Sequence, residues 1–167
     1  MRIIPIVAAS LMIMACSTVW ALEMPKVTDI KGMTKGSLLD RINQSLADQQ
    51  IKDGQFEFKT GKAEFATGNA KRISGLLKVL TGNSKALSAI PNLHISAEGH
   101  TDADGSAEAN QKLSDARAKT VCAALKAKGM KLPCTPSGVG SSKPLVASEK
   151  TAADKQKNRR VLVQLAR

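Results

Sequence analysis

The run Leu93-His94-Ile95-Ser96-Ala97 alternates apolar and polar residues and stops at Gly99. Within about ten residues a helical pattern begins. A half-buried strand that passes through a loop into a long helix commits this part of the chain to helices packed on a sheet. From Gly99 to Val121, polar and charged residues hold positions where folding alone favours apolar ones, and the loop carries His100, Thr101, Asp102 and Asp104. That stretch is the candidate site.

The 167 residues suffice for one domain with its own core, but not for two full domains. Leu38, Leu39, Ile42 and Leu46 recur at helical spacing and predict a short amphipathic helix from near Ser37 to Gln50. Asp53-Gly54 marks a turn, and Phe56-Glu57-Phe58 alternates as a first strand. Thr67 or Asn69 can cap the next helix, whose Ala70, Ile73, Leu76, Leu77 and Leu80 form one apolar stripe. A second strand spans Leu93 to Glu98, and a long helix runs from about Ser106 to Lys128 with Gly129 closing it. A weaker strand covers Thr135 to Val139. Val161 to Leu165 is steadily apolar, which suits a central position in a sheet. The order predicts an α+β fold with helices on one face of a small mixed sheet.

On a helical wheel at 100° per residue, Asn110 and Arg117 fall about 60° and 40° from Leu113, inside the apolar stripe that Val121 and Ala124 continue. A guanidinium facing the body of a protein needs a partner, because an unpaired buried charge is strongly unfavourable. Asp102, just before the helix, is the nearest carboxylate in sequence that the fold could bring to it. Two readings stand equal on the residues alone: a closed Asp102–Arg117 salt bridge that locks loop to helix, and an open pair that holds a ligand.

The N-terminal run MRIIPIVAASLMIMACSTVWA has one charge, Arg2, an uncharged apolar core and small residues near its end, the pattern of an export signal. Cleavage after Ala21 divides the chain into a signal (1–21), a linker with a short helix (22–53) and the main domain (54–167), with Leu22 to Lys35 as the linker proper. Cleavage before Cys16, in a lipoprotein-type box with lipid on Cys16, is the alternative. Retention of Ile3 to Ala21 as a membrane anchor is a third reading. Both cleavage readings leave Cys122 and Cys134 as a pair in an oxidising compartment, so a disulfide is expected. It would join the end of the long helix to the next element.

The formal net charge is +11. Such a balance points to polyanionic surroundings. Nucleic acid is disfavoured, since beyond the signal the aromatic residues are Phe56, Phe58 and Phe65 at core-like spacing, with no tyrosine. The same poverty counts against a sugar-stacking lectin and a membrane barrel. No cofactor is implied. His94, His100 and Asp102 lack the companions of a metal centre or a catalytic constellation, and Asp102-Ala103-Asp104-Gly105 has its glycine two places too early for a calcium loop.

Gly99-His100-Thr101-Asp102, Gly105, Asn110, Leu113-Ser114, Arg117-Ala118 and Val121 together resemble the OmpA-like peptidoglycan-binding domain. Gly138-Val139-Gly140 with Pro144, Asn158-Arg159-Arg160-Val161, and Phe58, Gly61, Ala63 and Phe65 are similar to its other motifs, so the likeness covers roughly Phe56 to Leu165. The resemblance implies a β-α-β-α-β-(loop)-β arrangement of helices on a small mixed sheet, here with an extra N-terminal helix. It implies non-enzymatic, non-covalent binding of peptidoglycan through the diaminopimelate of the stem peptide, in the periplasm or on the periplasmic face of a Gram-negative outer membrane. Asp102 would meet the ligand's ammonium and Arg117 its carboxylate, with Asn110, Thr101 and His100 completing the pocket and Asn158 and Arg160 lining it from the last strand. Ser141, Glu149 and Lys155 depart from the family pattern at the rim. A wall-gripping subunit of a stator or secretion machine, held by an uncleaved anchor, is the alternative role. An envelope protein docked on the N-terminal helix is a further expected partner.

Overall fold

The computed structural model describes residues 34–167. The signal, Cys16 and nearly all of the expected linker therefore lie outside the described residues. Among the described residues no helix is long and apolar enough to cross a membrane.

Helix α1 (Lys35–Asp53) starts where Thr34 accepts the Ser37 N–H at 3.2 Å and ends at Gly54, whose φ of 79° suits glycine. It outruns the expected helix by about a turn in all, since the pattern beyond Gln50 remains helix-compatible until that glycine. Ile42 and Leu46 point into the core. Helix α2 (Asn69–Gly82) packs Ile73, Leu76, Val79 and Leu80 against them, and a single turn, α3 (Ser84–Leu87), follows. Neither Thr67 nor Asn69 caps α2. The N-cap is Gly68 in the left-handed region, and the Asn69 amide instead bonds both backbone groups of Glu57, at 3.0 and 2.8 Å.

Strand β1 (His94–Gly99), helix α4 (Ala107–Ala127), strand β2 (Cys134–Gly138), helix α5 (Ala152–Asn158) and strand β3 (Val161–Ala166) complete the chain. The sheet order is β2-β1-β3, with β1 parallel to β2 and antiparallel to β3. The α+β class and the mixed sheet agree with the sequence. Two strand expectations do not. Phe56–Phe58 adds no strand to the sheet and makes one bridge, between Phe58 and Phe65. β3 lies at an edge, and its burial alternates, with Leu162 41% exposed.

One feature of α1 accounts for both differences. Gln50 Oε1 accepts the Val163 N–H and its Nε2 donates to the Val163 carbonyl, each at 2.9 Å. Asn43 does the same for Leu165, at 2.7 and 3.0 Å. These amides, two turns apart, occupy backbone groups that another strand would need. An edge strand leaves such groups open unless something covers them. Here a helix covers them, and Phe56–Phe58 finds that edge already occupied.

The α5 helix has its own signal, a capping box in which Thr151 accepts the Asp154 N–H and the Asp154 carboxylate accepts the Thr151 N–H. A disulfide joins Cys122 of α4 to Cys134 of β2 across a Cα separation of 5.6 Å.

Candidate functional site

Gly99 and Gly138 are partners in register on β1 and β2, and α4 crosses directly over them. A Cβ on Gly99 would sit 2.1 Å from the Ser114 carbonyl oxygen, and one on Gly138 would sit 2.4 Å from the Asp115 nitrogen. Only glycine admits a helix this close. Ser114 fixes the contact, its hydroxyl accepting the Gly140 N–H at 2.9 Å. The Thr101 N–H in turn donates to the Gly140 carbonyl at 2.9 Å. The loop after β1 is thereby held against the middle of α4.

Asn110 adds a second tie, donating to the backbone carbonyl of Asp104 at 2.9 Å and to that of Asp102 at 3.4 Å. Asn110 thus shapes the loop that presents both acids. Thr101 is buried, with a hydroxyl that has no hydrogen-bond partner, and it stands in the wall of the cavity that opens here.

Arg117 reaches the same cavity from α4. It is 3% exposed, its Nε donates to the Lys62 carbonyl at 3.2 Å, and its guanidinium carbon lies 5.0 Å from the centre of the Phe58 ring. Among the described residues no carboxylate lies within 4 Å of it. Burial lowers its pKa, the Arg159 charge lowers it further, and Asp102 acts in the opposite sense. An arginine in this setting keeps its proton. A buried cation without a carboxylate, facing a cavity of about 460 Å³ shared with Asp102, is the central property of the site.

Neither expected geometry for the acid is met in full. Asp102 pairs with Arg159, its Oδ2 accepting from Nη1 at 2.6 Å, while Lys155 holds both oxygens of Asp104 at 2.7 Å. Residues 155 and 159 are one helical turn apart, so the end of α5 sets two cations against two loop acids. The second arm of Arg159 donates to Gln156 Oε1.

The structure brings Asp102, Arg117, Asn110 and Thr101 together, and it places His100, Asn158 and Arg160 elsewhere. His100 is 1% exposed, with neither ring nitrogen hydrogen-bonded, although Nε2 lies 3.2 Å from Glu98 Oε1. Burial first, then the Arg160 charge, pull its pKa down to about 4, so the ring is neutral at pH 7. Arg160 donates to the Lys143 carbonyl at 3.0 Å. Asn158 accepts the N–H groups of Leu145 and Val146 at 2.8 and 3.0 Å and donates to the Val146 carbonyl at 2.9 Å. Both residues fold the 143–149 loop, whose Glu149 accepts the Ala103 N–H at 3.0 Å and so braces the acid loop from behind.

Sequence reasoning missed Arg159, Gln156 and the Phe58 ring as walls of the cleft. The Asn158-Arg159-Arg160 motif was the available signal, but neighbouring residues in extended backbone point to opposite sides, and it is Arg159 that turns inward. Among the described residues no group of three or more His, Cys, Asp or Glu is placed to hold a metal ion.

Fold and site together define an α+β module with a two-signed cleft at the end of its central strand. The OmpA family model matches residues 57–159, and the chain belongs to that family. It is 42% identical over 81 residues to the outer-membrane lipoprotein YfiB of Pseudomonas aeruginosa, a match that covers 48% of each chain, so it spans about half the length of that relative. Its fold is similar to that of the peptidoglycan-associated lipoprotein from Burkholderia pseudomallei, with TM-score 0.52 and 22% identity over 70% of this chain and 92% of that one. It is similar also to a MotB-like protein from Desulfovibrio vulgaris, with TM-score 0.55 and 19% identity over 80% and 98% of the two chains. At these identities the structural likeness is one of fold.

Proposed function

We propose that the domain binds peptidoglycan non-covalently through the diaminopimelate of the stem peptide, and that it anchors the protein, or the outer membrane, to the cell wall from the periplasmic side. Membership of the OmpA family and the names of the relatives, an outer-membrane lipoprotein and a peptidoglycan-associated lipoprotein, support this setting. The observation that carries the reading is the buried Arg117 guanidinium, without a carboxylate partner among the described residues, facing the same cavity as Asp102.

The free end of diaminopimelate is a zwitterion. Its carboxylate matches the planar fork of Arg117, and its ammonium matches Asp102. To engage Asp102 the ligand replaces Arg159, exchanging one charge-assisted bond for another at a site where Asp102 is 13% exposed. The 460 Å³ cavity suits the end of one amino-acid side chain and excludes a folded partner. The role is binding rather than catalysis. Arg117 keeps its proton and so supplies no base, and His100, the nearest candidate base, is buried away from the cleft.

The test is co-sedimentation of the purified protein with diaminopimelate-type sacculi. Wild type is expected in the pellet, and Asp102→Asn and Arg117→Met each in the supernatant with unchanged circular dichroism. Equal sedimentation of the double variant sinks the site assignment. Release of soluble sugars or peptides by wild type would overturn the non-enzymatic reading.

A further inference from the structure

A second cavity of about 440 Å³ lies on the other side of Arg117. The two share Phe58, Arg117, Gln156 and Arg159 as a common wall, and the second adds Phe56, Glu57 and Ala66. We infer that Arg159 and Gln156 form a second carboxylate subsite there, so that the preferred ligand is a wall peptide ending in diaminopimelate, a residue that then carries two free carboxylates and one ammonium. The inference rests on the diaminopimelate reading above and adds to it which stem peptide is chosen.

The argument is a balance of charge. Of the acids lining the two cavities, Asp104 is held by Lys155 and Glu57 by Arg72, each at 2.7 Å. That leaves Asp102, which pairs with Arg159, while Arg117 has no carboxylate partner among the described residues. When a ligand ammonium takes Asp102, Arg159 loses its acid while Arg117 has none, and one ligand carboxylate can satisfy only one of them. The other is left without a counter-charge in a cleft walled in part by Phe56, Phe58 and Ala66, where an uncompensated cation is costly.

Arg159 is placed for the remaining carboxylate. One arm binds Asp102 and the other binds Gln156, so release of Asp102 leaves the guanidinium held at the shared wall by Gln156. Its charge already reaches Arg117, which it makes less basic. The amide of a following residue offers a carbonyl in place of the second charge. A neutral carboxamide offers the right shape without the charge. Charge-assisted bonds are about twice as strong as neutral ones, so the site discriminates between them.

The experiment is calorimetric titration of the purified protein with three peptides: L-Ala-γ-D-Glu-diaminopimelate, the same peptide extended by D-Ala, and the same tripeptide amidated at the diaminopimelate carboxyl next to the peptide-linked nitrogen. Wild type is expected to bind the first at least about tenfold more tightly than either other peptide. In Arg159→Gln, checked for folding by thermal unfolding, the ratio falls to about one, and Arg159→Lys restores part of it. Equal binding of the three peptides by wild type overturns the second subsite and leaves the diaminopimelate reading standing. A preference that survives in Arg159→Gln overturns the assignment to Arg159. Failure of wild type to bind any of the peptides or sacculi overturns both.

Discussion

The amide clamp between α1 and β3 makes a prediction whose size follows from the structure. Asn43→Leu and Gln50→Met keep the side-chain bulk and remove the two hydrogen bonds that each side chain makes to the backbone of Leu165 and of Val163, Gln50→Met also losing a longer one to the Leu46 carbonyl of its own helix. A neutral hydrogen bond contributes about 1 kcal/mol net, so each change costs about 2 kcal/mol and the pair about 4. Both amides are only part-buried, and water admitted to the freed edge reduces the loss toward about 1 kcal/mol per site. Urea unfolding measures the total. Backbone hydrogen exchange locates it, because 2 kcal/mol accelerates exchange about 30-fold. The Val163 and Leu165 amides should speed up by about that factor relative to Ile95, whose N–H is held by the Pro133 carbonyl at 2.8 Å. Gln44→Met, on the exposed face of α1, serves as the control. Unchanged Val163 and Leu165 exchange, with a stability loss no larger than the control's, would refute the claim that α1 completes the sheet edge.

Three further outcomes are expected. His100 holds its folded pKa near 4 against an ordinary 6.5, so the unfolded chain takes up the proton first. Its stabilising contribution is therefore complete above about pH 6.5 and is lost as pH falls toward 4, to at most about 3 kcal/mol, and this slope should vanish in His100→Gln when urea midpoints are compared at pH 7.5 and 4.5. Gly99→Ala drives a Cβ against the Ser114 carbonyl and should destabilise by about 3 kcal/mol or more, whereas Gly82→Ala, with no atom within 4 Å of the new carbon, should stay within about 1 kcal/mol of wild type in thermal melts. Opening the Cys122–Cys134 disulfide, which closes a segment with a sequence separation of 12, should cost about 3 kcal/mol, read as the difference in urea midpoint between wild type and the Cys122→Ala/Cys134→Ala double variant.

Much of the fold was legible because its signals are local. The alternation in Leu93 to Glu98, the stripe of α2 and the left-handed Gly129 at φ 89° each report a conformation within a few residues. The wheel that put Arg117 and Asn110 into the apolar stripe of α4 anticipated two side chains that are 3% and 5% exposed. The short helix α5 was missed, although Thr151-x-x-Asp154 carries its capping box, because its seven residues show no apolar stripe. The placement of Phe56–Phe58 failed for a different reason. Its alternation is real, but whether a strand pairs depends on the state of the edge it meets, and Asn43 and Gln50 lie far from it in sequence.

The sequence by itself determined most of the elements, the cysteine pairing and the buried position of Arg117, since periodicity, parity and spacing are properties of the chain alone. Tertiary structure decided the partners. Asp102 faces Arg159 rather than Arg117, Lys155 holds Asp104, and His100 and Arg160 turn away from the cleft, because side-chain direction at a loop or strand end depends on what packs there from other elements. An ion pair is chosen by three-dimensional proximity among many charges, and no local pattern encodes that choice.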